Sequence, residues 1–195
     1  MSRVLVLVTA ASLLSGCASI PELTSAASAE VGPCPTAKPF KSTVHGMGGN
    51  DQVFSGGQPA QLFGDDDRDL VVGLFDADEI NGGRDADILV GAGGADRFVY
   101  DRVEDSPVDG HGTWASSAGD TIVDFRPDEG DRIVLTKLSP VAGFRWGSSD
   151  QAFGIWVRPF HGDTLLFIDS NGDHRADLAI RLLGTMQLSQ ASFCV

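Results

Sequence analysis

The chain has 195 residues, enough for one domain or one and a half but not for several independent cores. Its 27 acidic against 14 basic residues give a formal net charge of −13, which argues against nucleic acid as a partner because the phosphate backbone would be repelled. That charge is concentrated: between residues 46 and 110, fifteen Asp and Glu face four Arg, a block that stays disordered unless cations neutralise it.

Taken in chain order, the first segment is a targeting signal. Arg3 supplies a positive start and Val4 to Leu14 a short apolar run, too short to span a bilayer comfortably. Leu14-Ser15-Gly16-Cys17 resembles the bacterial lipobox, in which the Cys is diacylated and becomes the mature N-terminus; a signal cleaved elsewhere is the alternative. The resemblance implies a signal peptide over 1–16, lipidation at Cys17 and a protein anchored to the bacterial envelope through its lipid. Ala18 after the Cys favours the outer membrane of a Gram-negative cell. Residues 17–45, rich in Ala, Ser, Thr and Pro, read as a flexible tether. With Cys17 lipidated, Cys34 and Cys194 remain as an even pair in an oxidising compartment, so a disulfide between them is expected, with two unrelated thiols as the alternative.

From Gly46 a nine-residue register runs without insertion through Val99. Its first position is Gly46, Ser55, Gly64, Gly73, Gly82 and Gly91. Its sixth is Asp51, Ala60, Asp69, Asp78, Asp87 and Asp96, and its eighth is Val53, Leu62, Val71, Ile80, Leu89 and Phe98. A helix cannot hold this period, and Gly at every turn would weaken one. A short strand centred on the eighth position and a Gly-rich turn satisfy it.

These residues resemble the RTX (repeats-in-toxin) nonapeptide, G-G-x-G-x-D-x-U-x, which folds as a parallel β-roll. Farther on, Asp105-Ser106-Pro107, Asp120 to Phe125, Gly130 to Leu135 and Phe167 to Leu178 look like the C-terminal domain of serralysin-type metalloproteases. The implied fold is all-β: a parallel β-roll over 46–99 and an antiparallel β cap over 100–195. In that family two nonapeptides make one turn, and calcium lies between stacked turns. Carried onto this chain, Asp51, Asp69 and Asp87 stack on one edge, and Ala60, Asp78 and Asp96 on the other, with Asp96 ending its stack. Calcium takes ~6–8 oxygens, so turn carbonyls such as those of Gly49, Gly82 and Gly94 would complete each site. Asp124, with Asp120, stands where the family sometimes places a further ion. The second repeat, with Ala60 and Pro59, is expected to be structural only. At the fourth position Asp67, Asp76 and Asp85 replace the usual Gly, and Asp tolerates the left-handed backbone better than most residues.

Asp169-x-Asn171-x-Asp173 suggests an EF-hand, but His174 stands where its Gly belongs and Ile180 where its Glu belongs. A hairpin turn and a lone calcium site both remain open there. None of the four His forms H-E-x-x-H, no G-x-S-x-G is present, and the protease half of the resembled family is absent, so no enzyme activity is expected. The expected function is a calcium-binding envelope lipoprotein that folds on calcium and serves as a binding or structural module, with a protein or glycan partner. An accessory module of a polysaccharide-acting or secreted enzyme, or a calcium-dependent adhesin, is the alternative.

Overall fold

The computed structural model describes residues 39–195 except 110, 117–118, 139–142, 148 and 150. The signal segment, Cys17, Cys34 and the tether as far as residue 38 lie outside the described residues.

Regular structure among the described residues is almost all β, in two sheets. One sheet runs β1 (Ser42–His45), β3 (Ala60–Asp65), β5 (Glu79–Gly83), β7 (Arg97–Val99), β9 (Arg132–Val134) and β14 (Phe193–Cys194). It is parallel throughout. The other begins with β2 (Gln52–Phe54), β4 (Leu70–Val72), β6 (Ile88–Val90) and β8 (Thr121–Ile122), also parallel. It continues through β13 (Leu178–Leu182), β12 (Asp163–Ile168), β11 (Gly154–Phe160) and β10 (Arg145–Trp146). Only the β11–β12 and β12–β13 pairings are antiparallel.

The chain winds between the two sheets, one strand in each per turn. Partners lie eighteen residues apart, as in Val44↔Leu62, Leu62↔Ile80 and Val53↔Val71, so two nonapeptides make one coil. Each three-residue strand turns its middle residue inward, the consequence of side chains alternating along a pleated strand. Val53, Val71, Leu89 and Ile122 of one sheet therefore share a core with Leu62, Ile80, Phe98 and Ile133 of the other, all buried.

The roll departs from its expected limits at both ends. Residues 42–45, assigned to the tether, form β1 and pair in register with β3. The stretch lacks the Gly and Asp turn signals of the repeats. The roll also continues past residue 99. β6 pairs with β8 across thirty-three residues (Leu89↔Ile122), and β7 with β9 across thirty-five (Phe98↔Ile133). Two further strands thus join the coil after inserts, and the boundary with the cap is not sharp.

In the cap, β11 and β12 form a hairpin through His161 and Gly162, both with positive φ, the backbone a tight two-residue loop requires. β12 and β13 are joined by residues 169–177. A second buried cluster of Trp156, Leu165, Phe167, Ala176 and Ala179 packs against Val108 and Trp114 of the insert after β7 and against Phe160 of β11. No helix among the described residues is long and apolar enough to cross a membrane.

Candidate metal centres on two turn ladders

The turns between strands stack into two ladders along opposite edges of the roll. On the first, the backbone N–H of Asp51 donates to Oδ1 of Asp69 (2.7 Å), Asp69 to Asp87 (2.8 Å) and Asp87 to Asp120 (2.9 Å). On the second, Ala60 donates to Asp78 (2.7 Å), Asp78 to Asp96 (2.9 Å) and Asp96 to Asp131 (2.9 Å). Each accepting carboxylate thus spends one oxygen on the coil before it.

In all but Asp131, whose Oδ2 accepts the N–H of Arg126 (2.8 Å), the other oxygen has no partner. Oδ2 of Asp69, Asp78, Asp87, Asp96 and Asp120 is buried without a hydrogen bond. A buried, unpaired carboxylate oxygen is costly, so such groups either take up a proton or meet a cation. Burial accordingly pushes Asp78 up to about 6 and Asp87 and Asp96 up to about 8, and raises Asp69 and Asp120 as well. Neighbouring carboxylates add to the rise: Asp69 and Asp85 act on Asp87, and Asp131 and Asp78 on Asp96.

The first-position glycines explain themselves against these oxygens. A Cβ added to Gly64 would collide with the Gly82 carbonyl and lie 2.5 Å from Asp69 Oδ2. At Gly73 it would lie 2.7 Å from Asp78 Oδ2 and 2.9 Å from the Gly91 carbonyl. The space a side chain would fill is the space on which a carboxylate oxygen and the next coil's carbonyl converge. Hard oxygens in such a set suit calcium, with two carboxylates and main-chain carbonyls contributing to one ion. Among the described residues no group of three or more His, Cys, Asp or Glu is gathered for a metal, so any centre here depends on main-chain oxygens.

The expected ligands fall into place unevenly. Asp51, Asp69 and Asp87 stand in one ladder and Asp78 and Asp96 in the other. Gly82 presents its carbonyl at Gly64, as described. Gly49 donates its N–H to Asp67 (3.1 Å), and Gly94 passes so close to the Asp76 carbonyl that a Cβ would lie 2.5 Å from it. Asp67 and Asp85 do adopt the left-handed backbone of the glycines they replace. Asp96 does not end its stack, because Asp131 follows it after an insert that hides the spacing. Asp120 and Asp124, four residues apart in sequence, serve opposite edges. Both oxygens of Asp124 accept turn N–H groups, from Gly91 (3.0 Å) and Ala92 (2.8 Å), which makes it a clamp on the second edge.

In the 169–177 loop, Asp169 accepts N–H groups from Gly172, His174 and Phe153, and Asp177 closes on Ser170 and Asn171. The loop joins two antiparallel strands and spends its carboxylates internally. Beside it an open groove of about 1080 Å³ is lined by Asp109, His111, Trp156, Arg158, His174 and Arg175, among others.

Residues 42–59 and 63–98 match the RTX calcium-binding nonapeptide repeat, in four copies. Among solved structures, the chain is similar to the AlgE6R2 subunit of the Azotobacter vinelandii mannuronan C5-epimerase. The identity is 22% and the TM-score 0.52, over 80% of this chain and 91% of that one. It is also similar to the AlgE6R3 subunit of that enzyme, at 27% identity and TM-score 0.43, over 86% and 85% of the two chains. No curated protein sequence matches it.

Proposed function

Since residues 42–59 and 63–98 carry RTX calcium-binding nonapeptide repeats, we propose that this chain is a calcium-folded binding module of the bacterial envelope and not an enzyme. The observation that carries this reading is the run of buried, partnerless Oδ2 atoms along both ladders. Repeats of this class bind calcium, and in this reading each ion lies between two carboxylates of successive coils. Asp51 with Asp69, Asp69 with Asp87, and Asp87 with Asp120 serve the first edge. Asp78 with Asp96, and Asp96 with Asp131, serve the second. Carbonyls of the first-position glycines add neutral oxygens.

Without calcium these carboxylates repel one another across the strand spacing and oppose the coil. Bound calcium supplies the charge that lets the coils stack, so binding free energy becomes folding free energy. Extracellular modules of this kind respond at on the order of 10⁻⁴–10⁻³ M calcium. A Sec-type signal with lipidation at Cys17 would deliver the chain unfolded to a calcium-rich compartment and hold it at the membrane. A disulfide between Cys34 and Cys194 would then tie the two ends of the folded region.

A second reading, an accessory module acting on polysaccharide, is favoured by the groove beside β11. There Asp109 and Asp177 are engaged with their own loops, while Arg158, Arg175, His111 and His174 line the opening. Isothermal titration separates the proposal from a metal-free acidic solenoid. Saturable calcium binding with weak competition from magnesium supports it, because magnesium prefers rigid octahedral sites and dehydrates reluctantly. No heat of calcium binding would overturn it.

A further inference from the structure

The open groove beside β11 takes one wall from the insert after β7 and the other from the 169–177 loop. Both walls stand on one sheet. Ser106 Oγ of the insert donates to the Ala179 carbonyl of β13 (2.6 Å), and Pro107 bridges to Leu178. Trp156 and Arg158, two apart on β11, are turned to the same side of the strand. Trp156 is buried and stacks on Phe167, with 5.8 Å between ring centroids, and the Arg158 guanidinium lies 5.5 Å from the centroid of that same Phe167 ring. An aromatic ring under a guanidinium holds it in place and leaves its N–H donors free.

Arg175 lines the groove from the loop. Its backbone N–H donates to Asp173 Oδ1 (2.9 Å), and the N–H of His174 donates to Asp169 Oδ2 (3.0 Å), so Arg175 extends from a fixed turn. Among the described residues neither Arg158 nor Arg175 makes an ion pair. The groove is acidic as well as basic. Asp109 accepts the N–H groups of His111 (2.9 Å) and Thr113 (2.8 Å) at one oxygen and the Thr113 hydroxyl (2.6 Å) at the other, which holds its carboxyl below the usual range. Asp177 engages both oxygens with Ser170 and Asn171. Those two carboxylates are held by their own loops, and the two guanidiniums are left to take a charge from outside.

Charges of both signs disfavour a bare polyanion, each unit of which would meet Asp109, Asp173 or Asp177. They suit a chain whose carboxylates are spaced by hydroxyl-bearing rings, since a carboxylate that accepts from its own loop keeps lone pairs for a hydroxyl. The volume of about 1080 Å³ admits several rings, a drug-sized molecule needing roughly 300–1,000 Å³. We propose that this groove binds an acidic oligosaccharide, with Arg158 and Arg175 each taking a carboxylate and the groove's aspartates accepting from ring hydroxyls. The inference rests on the polysaccharide reading above and names its ligand class. It needs no ion in the groove.

Isothermal titration of the protein in calcium, with a galacturonate trimer, maltotriose and inorganic phosphate as probes, tests this. The trimer should bind, less tightly as salt rises, and the other two about tenfold more weakly. Arg158→Ala and Arg175→Ala should each weaken the trimer roughly fivefold without moving the melting temperature in calcium. Arg84→Ala removes an exposed charge from the roll and should leave binding unchanged. If an alanine variant melts early, Arg158→Gln or Arg175→Gln, which keep a polar stem, should show the same loss. Trimer binding that survives both arginine substitutions would place the sugar elsewhere, as a bridge through ladder calcium would, and overturns the proposal. Maltotriose binding as tightly as the trimer overturns the acidic class and leaves the polysaccharide reading standing. Phosphate binding as tightly, and lost with the same arginines, reduces the groove to an anion site and overturns the oligosaccharide. Neither sugar binding overturns the polysaccharide reading together with the proposal.

Discussion

The backbone N–H of Asp87 donates to Oδ1 of Asp120 at 2.9 Å although thirty-three residues separate them. Within the repeats the same bond spans eighteen residues, as from Asp69 to Asp87. Asp96 and Asp131 repeat the relationship across thirty-five. The ladder is a property of stacked turns, and the chain can leave it and return without breaking it.

Ion counts follow from that continuity. Asp69 and Asp96 each stand between two carboxylates, Asp51 and Asp87 for one, Asp78 and Asp131 for the other. Asp69→Ala and Asp96→Ala should therefore cost similar numbers of ions, and each should cost more than Asp51→Ala, which opens its ladder. Native mass spectrometry in calcium counts them. A markedly smaller loss for Asp96→Ala would return Asp96 to the end of its stack and remove Asp131 from the ladder.

The glycines give a test that removes no ligand. Gly64→Ala forces a methyl group against the Gly82 carbonyl and Asp69 Oδ2. It should cost on the order of 1–3 kcal/mol and weaken calcium binding together with stability. Gly56→Ala meets nothing within 4 Å and should stay within about 0.5 kcal/mol of wild type. Denaturant titrations of both variants in calcium make the comparison. Equal effects would mean that the space above Gly64 is not the one the ions need.

The repeats were legible because Gly, Asp and an apolar residue recur in phase from Gly46 to Val99, and the eighth-position side chains do form the core. What the sequence concealed lies where spacing breaks. Asp131 is thirty-five residues from Asp96, so the nine-residue spacing does not lead to it. Asp120 and Asp124 looked like a pair because they are four apart, yet a strand runs between them and places them on opposite edges. The second core around Trp156 and Phe167 was hidden for a different reason. It forms on the face of β11–β13 turned away from the first core, and it depends on Val108 and Trp114 of a distant insert that packs against it.

Acidity should act on the metal-free protein in an unusual direction. Burial lifts Asp87 and Asp96 to about 8 and Asp78 and Asp131 to about 6, from 3.8. Between those values the folded chain holds more protons than the unfolded one, so stability is greatest at the acid end and falls as pH rises. In EDTA the melting temperature should drop between about pH 5 and pH 8.5 through these groups. In calcium the ion replaces the protons, and affinity should rise over the same range. Melts in EDTA that become steadily higher with pH would contradict the burial of these carboxyls.

Cys34 and Cys194 should be joined in protein matured in the envelope, and Cys17 should carry lipid. Peptide mapping without reductant would show the linked pair, and metabolic labelling with a fatty acid would mark wild type but not Cys17→Ser. Replacing Cys34 should lower stability by on the order of 2–5 kcal/mol, since the closed loop is long. A native protein in which both thiols titrate would rule the bridge out.

The account stands most directly on whether calcium orders the roll. Far-UV circular dichroism of the mature domain, melted in millimolar calcium and again in EDTA, measures this. The ladders predict a cooperative β-rich fold with a much higher midpoint in calcium, lost in EDTA near neutral pH and not restored by magnesium. Superimposable spectra and melts in calcium and EDTA would show that the buried Oδ2 atoms have no need of the ion, and would contradict it.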